Sequence, residues 1–262
     1  MNSLLFYQKP VRLNREEHSL LKFQSSNAYG FAESVNSVPL NGIEFFQTSR
    51  HLPVLFSCDA NGDYFPIALL SLHDKQHFLG NSEGEWGEVY VPAFIRRYPF
   101  AMSDDQTVCF DEAAPHFDES GELLFTEEGE QTDTLNRIID FLVSFDQAHQ
   151  QTRAFCEAAK EQDLFKPFNI QVMVKANEPL RLNGLFVINE EVFSGLPKTV
   201  VNKWFKAGWI AWVYAHLHSL ATLGTLAKYQ LPSESTDDVA VTNENHKLKK
   251  SAGDSHPQDE DT

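Results

Sequence analysis

Arg96 and Arg97 stand side by side in the string Trp86-Gly87-Glu88-Val89-Tyr90-Val91-Pro92-Ala93-Phe94-Ile95-Arg96-Arg97-Tyr98-Pro99-Phe100. A guanidinium is a planar, two-pronged donor, so two of them among aromatic and aliphatic neighbours could hold a carboxylate or a phosphate. The same pair has an architectural alternative. A buried arginine needs a partner in any case, and the 37 acids of the chain offer many with which it could lock two layers together. The functional form of this reading is a recognition patch of Arg96 and Arg97 with Trp86 and Tyr98 beside them.

His116-Phe117-Asp118 is the one string that suggests a metal enzyme. A His-x-Asp pair with a distant third histidine, here His149 or His216, is the donor set of iron(II) oxygenases, which leaves positions open for oxygen and cosubstrate. Such a site wants a rigid strand under the pair, yet this pair follows Pro115 inside an acidic stretch. His216 and His218 lie about 200° apart around a helix, so they cannot chelate one metal from one face. One is expected to face the core and the other a polar surface. No G-x-S-x-G turn supports a hydrolase triad, no Gly-rich loop cradles phosphate, and His73-Asp74 reads as a strand-end pair. Cys58, Cys109 and Cys156 are far apart and without a CxxC spacing, which leaves them as small buried hydrophobes. No catalytic residue, metal site or cofactor is assigned.

The charge balance bounds the partners. With 21 basic and 37 acidic side chains the formal charge is −16, and nucleic acid is excluded because phosphate binding needs a concentrated basic surface. From Asp111 to Asp133 the chain carries nine acids and no Lys or Arg. A calcium patch is one reading, but the alternating spacing and fixed glycine of an EF-hand are missing; a solvated loop around a short Leu123–Phe125 element is the other. Past Leu231 the composition turns polar, with three lysines against eight acids (3 − 8 = −5). Residues 231–262 are therefore expected to be a disordered acidic tail behind one domain over 1–230.

The elements that must position these residues follow from pattern. Pro53–Cys58 and Phe65–Leu72 flank Asp59-Ala60-Asn61-Gly62-Asp63, which is hairpin chemistry. Phe168–Lys175 and Leu180–Asn189, joined by Ala176–Pro179, form a second hairpin. A further strand is expected at Thr107–Asp111 and a short one at His77–Leu79, while Asn41 precedes a short helix within 42–50. Leu135, Ile138, Ile139, Leu142, Phe145, Ala148, Thr152, Phe155 and Ala159 mark one face of a long helix that Thr132 or Asp133 caps. A second long helix runs from Pro197 to about Tyr229.

Ala207–Ala227 holds 21 residues without a formal charge, long enough to cross a bilayer, but its mean hydropathy is only about 1 and it contains two histidines. A buried helix is the better reading. No signal peptide is recognisable in MNSLLFYQKPVRLNREEH, so a cytoplasmic location is expected. Hairpins followed by separate helices, without βαβ alternation, predict an α+β class: an antiparallel sheet built largely from the two hairpins and packed by the two long helices.

YVPAFIRRYPF at 90–100 resembles the hallmark of the SapC family of bacterial proteins. The likeness continues through VPLNGIEF at 38–45, PIALLSL at 66–72, TVCFDE at 107–112, LNGLFVINEE at 182–191 and YAHLHSL at 214–220. It covers residues 5–230. The resemblance implies a family named for a surface-layer-associated protein. Its members accompany genes for halogenase-like and cupin-like proteins and for TonB-dependent receptors. That points to an accessory role on a peptide or envelope protein, and it adds Glu190 to the candidate ligand-binding residues. The expected function is thus a non-catalytic binding protein whose partner is a peptide or protein, such as an envelope receptor or a modifying enzyme. A metal-dependent enzyme (iron oxygenase-like or hydrolase) and an exported surface-layer component are the alternatives. Oligomeric state is open.

Overall fold

The computed structural model describes residues 5–72, 86–172, 180–230 and 241–242. Short strands β1 (Pro10–Arg12), β2 (Lys22–Phe23) and β3 (Ser37–Pro39) open the chain. At Asn41 the backbone turns into a one-turn 3-10 segment, Gly42–Glu44, and on into α1 (Phe45–Thr48). Glu44 stabilises that entry by accepting the Asn41 N–H at 3.0 Å. Gly42 has to be glycine, because a Cβ there would stand 2.3 Å from the ring of Trp212.

The first hairpin joins β4 (Val54–Cys58) to β5 (Tyr64–Leu69). Its turn is held by the Asp59 carboxylate, which accepts the N–H groups of Asn61 and Asp63 at 2.9 and 3.0 Å. Next come α2 (Ala93–Arg96), β6 (Phe100–Met102), β7 (Val108–Asp111) and β8 (Glu122–Leu123). The long helix α3 spans Asp133–Glu161 and is capped by Thr132. The second hairpin is β9 (Phe165–Val172) with β10 (Leu180–Ile188). Four helices follow: α4 (Glu190–Ser194), α5 (Lys198–Ala207), α6 (Trp209–Ser219) and α7 (Thr222–Gln230). Val241–Thr242 forms β11.

The two hairpins lie edge to edge in one antiparallel six-stranded sheet, ordered β11-β9-β10-β4-β5-β3. The α+β architecture is as the pattern predicts. Side-chain alternation divides the core between the two faces of this sheet. Val54, Phe56, Ala68, Leu70 and Ile188 pack with Phe155 of α3 and with Trp212 and Val213 of α6. Leu55, Ile67, Leu69 and Val187 point the other way and pack with Leu223, Leu226 and Ala227 of α7.

That division corrects the expectation of one helix over 197–229. Gly208 adopts φ +78°, ending α5 and turning the chain into α6. The chain then tightens at Leu220 and Ala221, whose N–H groups bond the carbonyls of Leu217 and His218, before α7 begins. The break is required because α6 and α7 cover opposite faces of the same sheet. No helix among the described residues is long and apolar enough to cross a membrane.

A smaller sheet, β1-β7-β6, and the pair β2-β8 lie beside the N-terminal half of α3. Phe100, Phe110, Leu124, Leu135 and Leu142 form their core. The C-terminal half of α3 contributes Phe155, Cys156 and Ala159 to the main core. One helix therefore ties the two sheets together, and α2 with its arginines sits where they meet. The predicted strand His77–Leu79, the pair His73-Asp74, the turn Ala176–Pro179 and the acidic tail apart from Val241–Thr242 lie outside the described residues.

Candidate functional site

The two adjacent arginines go to different places, because neighbours on a helix diverge by about 100°. Arg97 is buried, at 8% exposure. Its guanidinium carbon lies 4.3 Å from the Phe94 ring centre and 4.7 Å from that of Phe145 on α3, an aromatic sandwich that uses the flat shape of the group. Burial holds its pKa below the ordinary arginine value. Arg96 is exposed and reaches along the surface. Its Nε donates to the Val91 carbonyl at 3.0 Å and its Nη2 to the Tyr90 hydroxyl at 3.2 Å. Its cationic carbon also stands 5.4 Å from the ring centre of Phe141, one turn before Phe145 on α3. Among the described residues Arg96 makes no ion pair with a carboxylate.

The segment carrying these arginines is anchored at both ends by a buried acid. Glu44 accepts the Ala93 N–H at 2.7 Å and the Tyr90 O–H at 2.9 Å. Burial, with the Glu44 charge added, pushes the Tyr90 phenol up to about 12. At the other end, the Tyr98 hydroxyl donates to Asp111 at 2.9 Å. Asp111 is wholly buried, so the acidic stretch from Asp111 to Asp133 does not begin as a solvated loop.

Arg96, Arg97 and Tyr98 line a cleft of about 670 Å³ together with Phe23, Tyr29 and Phe141. Arg137 lies on its α3 side, donating to the Thr134 hydroxyl at 2.9 Å with Glu122 3.4 Å away. His116 also lines it, at 7% exposure. Its ring stacks against Phe23 at 6.1 Å and meets Tyr98 edge-on at 5.5 Å. Nδ1 of His116 has no hydrogen-bond partner among the described residues, and burial lowers its pKa.

Of the sequence-predicted ligand-binding residues, the structure thus brings Arg96, Arg97 and Tyr98 to one cleft. Trp86 is not part of its lining and touches it through Tyr29, whose ring it meets edge-on at 6.0 Å. Glu190 is elsewhere, exposed in the first turn of α4.

The iron-type donor set is not assembled. Asp118 turns away to accept the hydroxyl and N–H of Ser120 at 2.6 and 2.7 Å. His216 has both ring nitrogens committed, to Val54 and Ile188. Among the described residues no three His, Cys, Asp or Glu side chains are placed to hold a metal ion, and that includes the acids of the 111–133 stretch. His116 belongs to an aromatic cage instead.

The SapC family model matches residues 13–226. The chain belongs to the SapC family. No curated protein and no solved structure matches it. The strings that carry the SapC likeness prove to be in contact. Glu44 of VPLNGIEF clamps Tyr90 and Ala93 of YVPAFIRRYPF, and Asp111 of TVCFDE takes the Tyr98 hydroxyl. These three SapC strings therefore form one interlocked support for the segment that carries the cleft arginines.

Sequence reasoning missed the opposite wall, Phe23 with Arg137 and Phe141. The only local signal was Phe141 itself, an aromatic side chain one position off the apolar stripe of α3, with Arg137 one turn before it.

Proposed function

We propose that this SapC-family chain is a non-catalytic accessory protein that holds a peptide segment of a protein partner in the Arg96/Arg97 cleft. Its place is a cytoplasmic step of a peptide-modification or surface-related pathway. One observation supports this reading above the others. Arg96 is held out at the cleft rim by hydrogen bonds to Val91 and Tyr90, while its charge faces no carboxylate of the described chain. A cation kept in place without a counter-ion among the described residues is available to a ligand, and the aromatic walls beside it supply apolar area.

The test is a random-peptide library selected against the full chain, with Arg96→Ala as counter-target. Selected peptides should bind the wild-type protein and lose about tenfold or more in affinity on Arg96→Ala, which is roughly the worth of one charge-assisted contact. Arg97 is unsuitable for this purpose, since it is packed into the protein. Peptides that bind both proteins equally, or a failure to select any, would overturn the reading.

A further inference from the structure

We infer that the cleft takes a carboxylate carried next to an aromatic side chain. This rests on the peptide-binding reading and specifies which part of the peptide enters. Charge is the first argument. The chain carries −16 overall, yet among the described residues the charged side chains lining the cleft are Arg96, Arg97, Arg137 and a single acid, Glu122. Glu122 is already engaged by the Thr134 hydroxyl and Arg137. An anion repelled by the chain's net charge is attracted where basic side chains outnumber acids, as they do in this recess.

Shape is the second. Phe23, Tyr29, Tyr98, Phe100 and Phe141 supply aromatic faces and edges around about 670 Å³, space for a ring and its attached group rather than for a folded domain. The third is His116. It is more than nine-tenths buried, it lines the cleft, and its Nδ1 has no hydrogen-bond partner among the described residues. A neutral imidazole carries one donor and one acceptor, and buried polar groups without partners are uncommon enough to require an explanation. An oxygen or N–H of the ligand provides one.

A carboxylate fits better than a phosphate. Arg96 has Nε and Nη2 already committed, and Arg97 is enclosed between two rings. The cleft thus offers separated single contacts suited to a monoanion, not a cluster of free forks around a dianion. The carboxylate has two possible sources, a chain end or an Asp/Glu side chain, and the test separates them.

The full chain is titrated calorimetrically with N-acetyl-phenylalanine, N-acetyl-phenylalaninamide, N-acetyl-aspartyl-phenylalaninamide and inorganic phosphate, while the His116 imidazole resonances are followed by NMR. One of the two acids should bind about tenfold tighter than the neutral amide. It should shift the His116 signals and lose its advantage in Arg96→Gln and Arg137→Gln. Preference for N-acetyl-phenylalanine identifies a chain end; preference for the aspartyl peptide identifies an internal segment. Equal binding of acids and amide overturns the carboxylate assignment and leaves peptide binding standing. Phosphate that displaces the acid at similar concentration overturns it in favour of phosphate. If none of the probes binds a chain that still retains its selected library peptides, this inference alone fails; if those peptides are also lost, the peptide reading fails with it.

Discussion

His216 donates through Nδ1 to the carbonyl of Val54 at 2.7 Å, occupying a position that a neighbouring strand would normally fill. Its Nε2 accepts the Ile188 N–H at 3.1 Å, which fixes the tautomer as the one protonated on Nδ1. The β4–β10 ladder pairs Leu185 with Ser57 and Phe186 with Phe56. Continuing that register would set Ile188 opposite Val54, and the imidazole of α6 spans the pair instead. Ser219, one turn on, accepts the Val54 N–H at 2.9 Å. Helix α6 is thereby bonded into the sheet rather than merely laid on it.

Replacing this ring should be expensive. His216→Ala leaves a cavity and strands a buried carbonyl and a buried N–H, each costing about 1–3 kcal/mol, so a loss of about 3–5 kcal/mol is expected. His218, exposed two residues later, should change stability by less than about 0.5 kcal/mol on substitution by Ala. Urea denaturation of both variants checks this. A His216→Ala loss as small as that of His218→Ala would show that the bridge contributes nothing.

The same residue sets a pH dependence. Burial drives the His216 imidazole down to about 4, against about 6.5 in an unfolded chain. Between those values the unfolded state binds the extra proton, so unfolding gains as pH falls. The contribution is complete above about pH 6.5 and is lost on descending to about pH 4. Burial pushes His116 and His149 in the same direction. Denaturation midpoints at pH 7 and pH 5 should therefore drop for the wild type. In His216→Gln the drop should be smaller by about 2 kcal/mol, the worth of one and a half pH units. Parallel behaviour of the two proteins would remove His216 from the explanation.

These relationships show where the sequence is informative and where it stops. The spacing of His216 and His218 says that one of them faces inward. It does not say that the inward one bridges two strands, because its partner Val54 is 162 positions away. The apolar run 207–227 reads as one helix because both of its halves are apolar, although each half serves a different face of the sheet. Two arginines in succession must diverge on a helix, so a division into buried and exposed was implied. Which one goes inward depends on Phe145, and the cleft wall depends on Phe23 and Phe141. Such contacts are set by packing between elements, not by local pattern.

Asp111 links the cleft support to the start of the chain. Its carboxylate accepts N–H groups of Gln8 and Lys9 at 3.0 and 2.7 Å and the Tyr98 hydroxyl at 2.9 Å. Burial raises its pKa, but these donors more than offset that, and the carboxyl stays below its usual range. Asp111→Asn turns one acceptor into a donor facing donors and should cost about 3 kcal/mol. Tyr98→Phe removes one bond and should cost about 1–2 kcal/mol. Because both changes delete the same bond, the double variant should be less destabilised than the sum by about 1 kcal/mol. Strict additivity in a double-mutant cycle would mean that the bond carries no energy.

The paired arginines should separate folding from binding. Arg97 fills the space between Phe94 and Phe145, so Arg97→Ala removes packing as well as charge and should lower stability by about 2–4 kcal/mol. Arg97→Lys keeps the charge but not the plane that stacks between two rings, and should recover less than half of that loss. Arg96 rests on the surface, and Arg96→Ala should stay within about 0.5 kcal/mol of the wild type, as surface substitutions usually do. Thermal unfolding of the three variants decides the matter. Equal losses at 96 and 97 would mean that both side chains serve the fold. A stable Arg96→Ala beside an unstable Arg97→Ala would make Arg96 the position at which the proposed ligand binding can be tested with the scaffold intact.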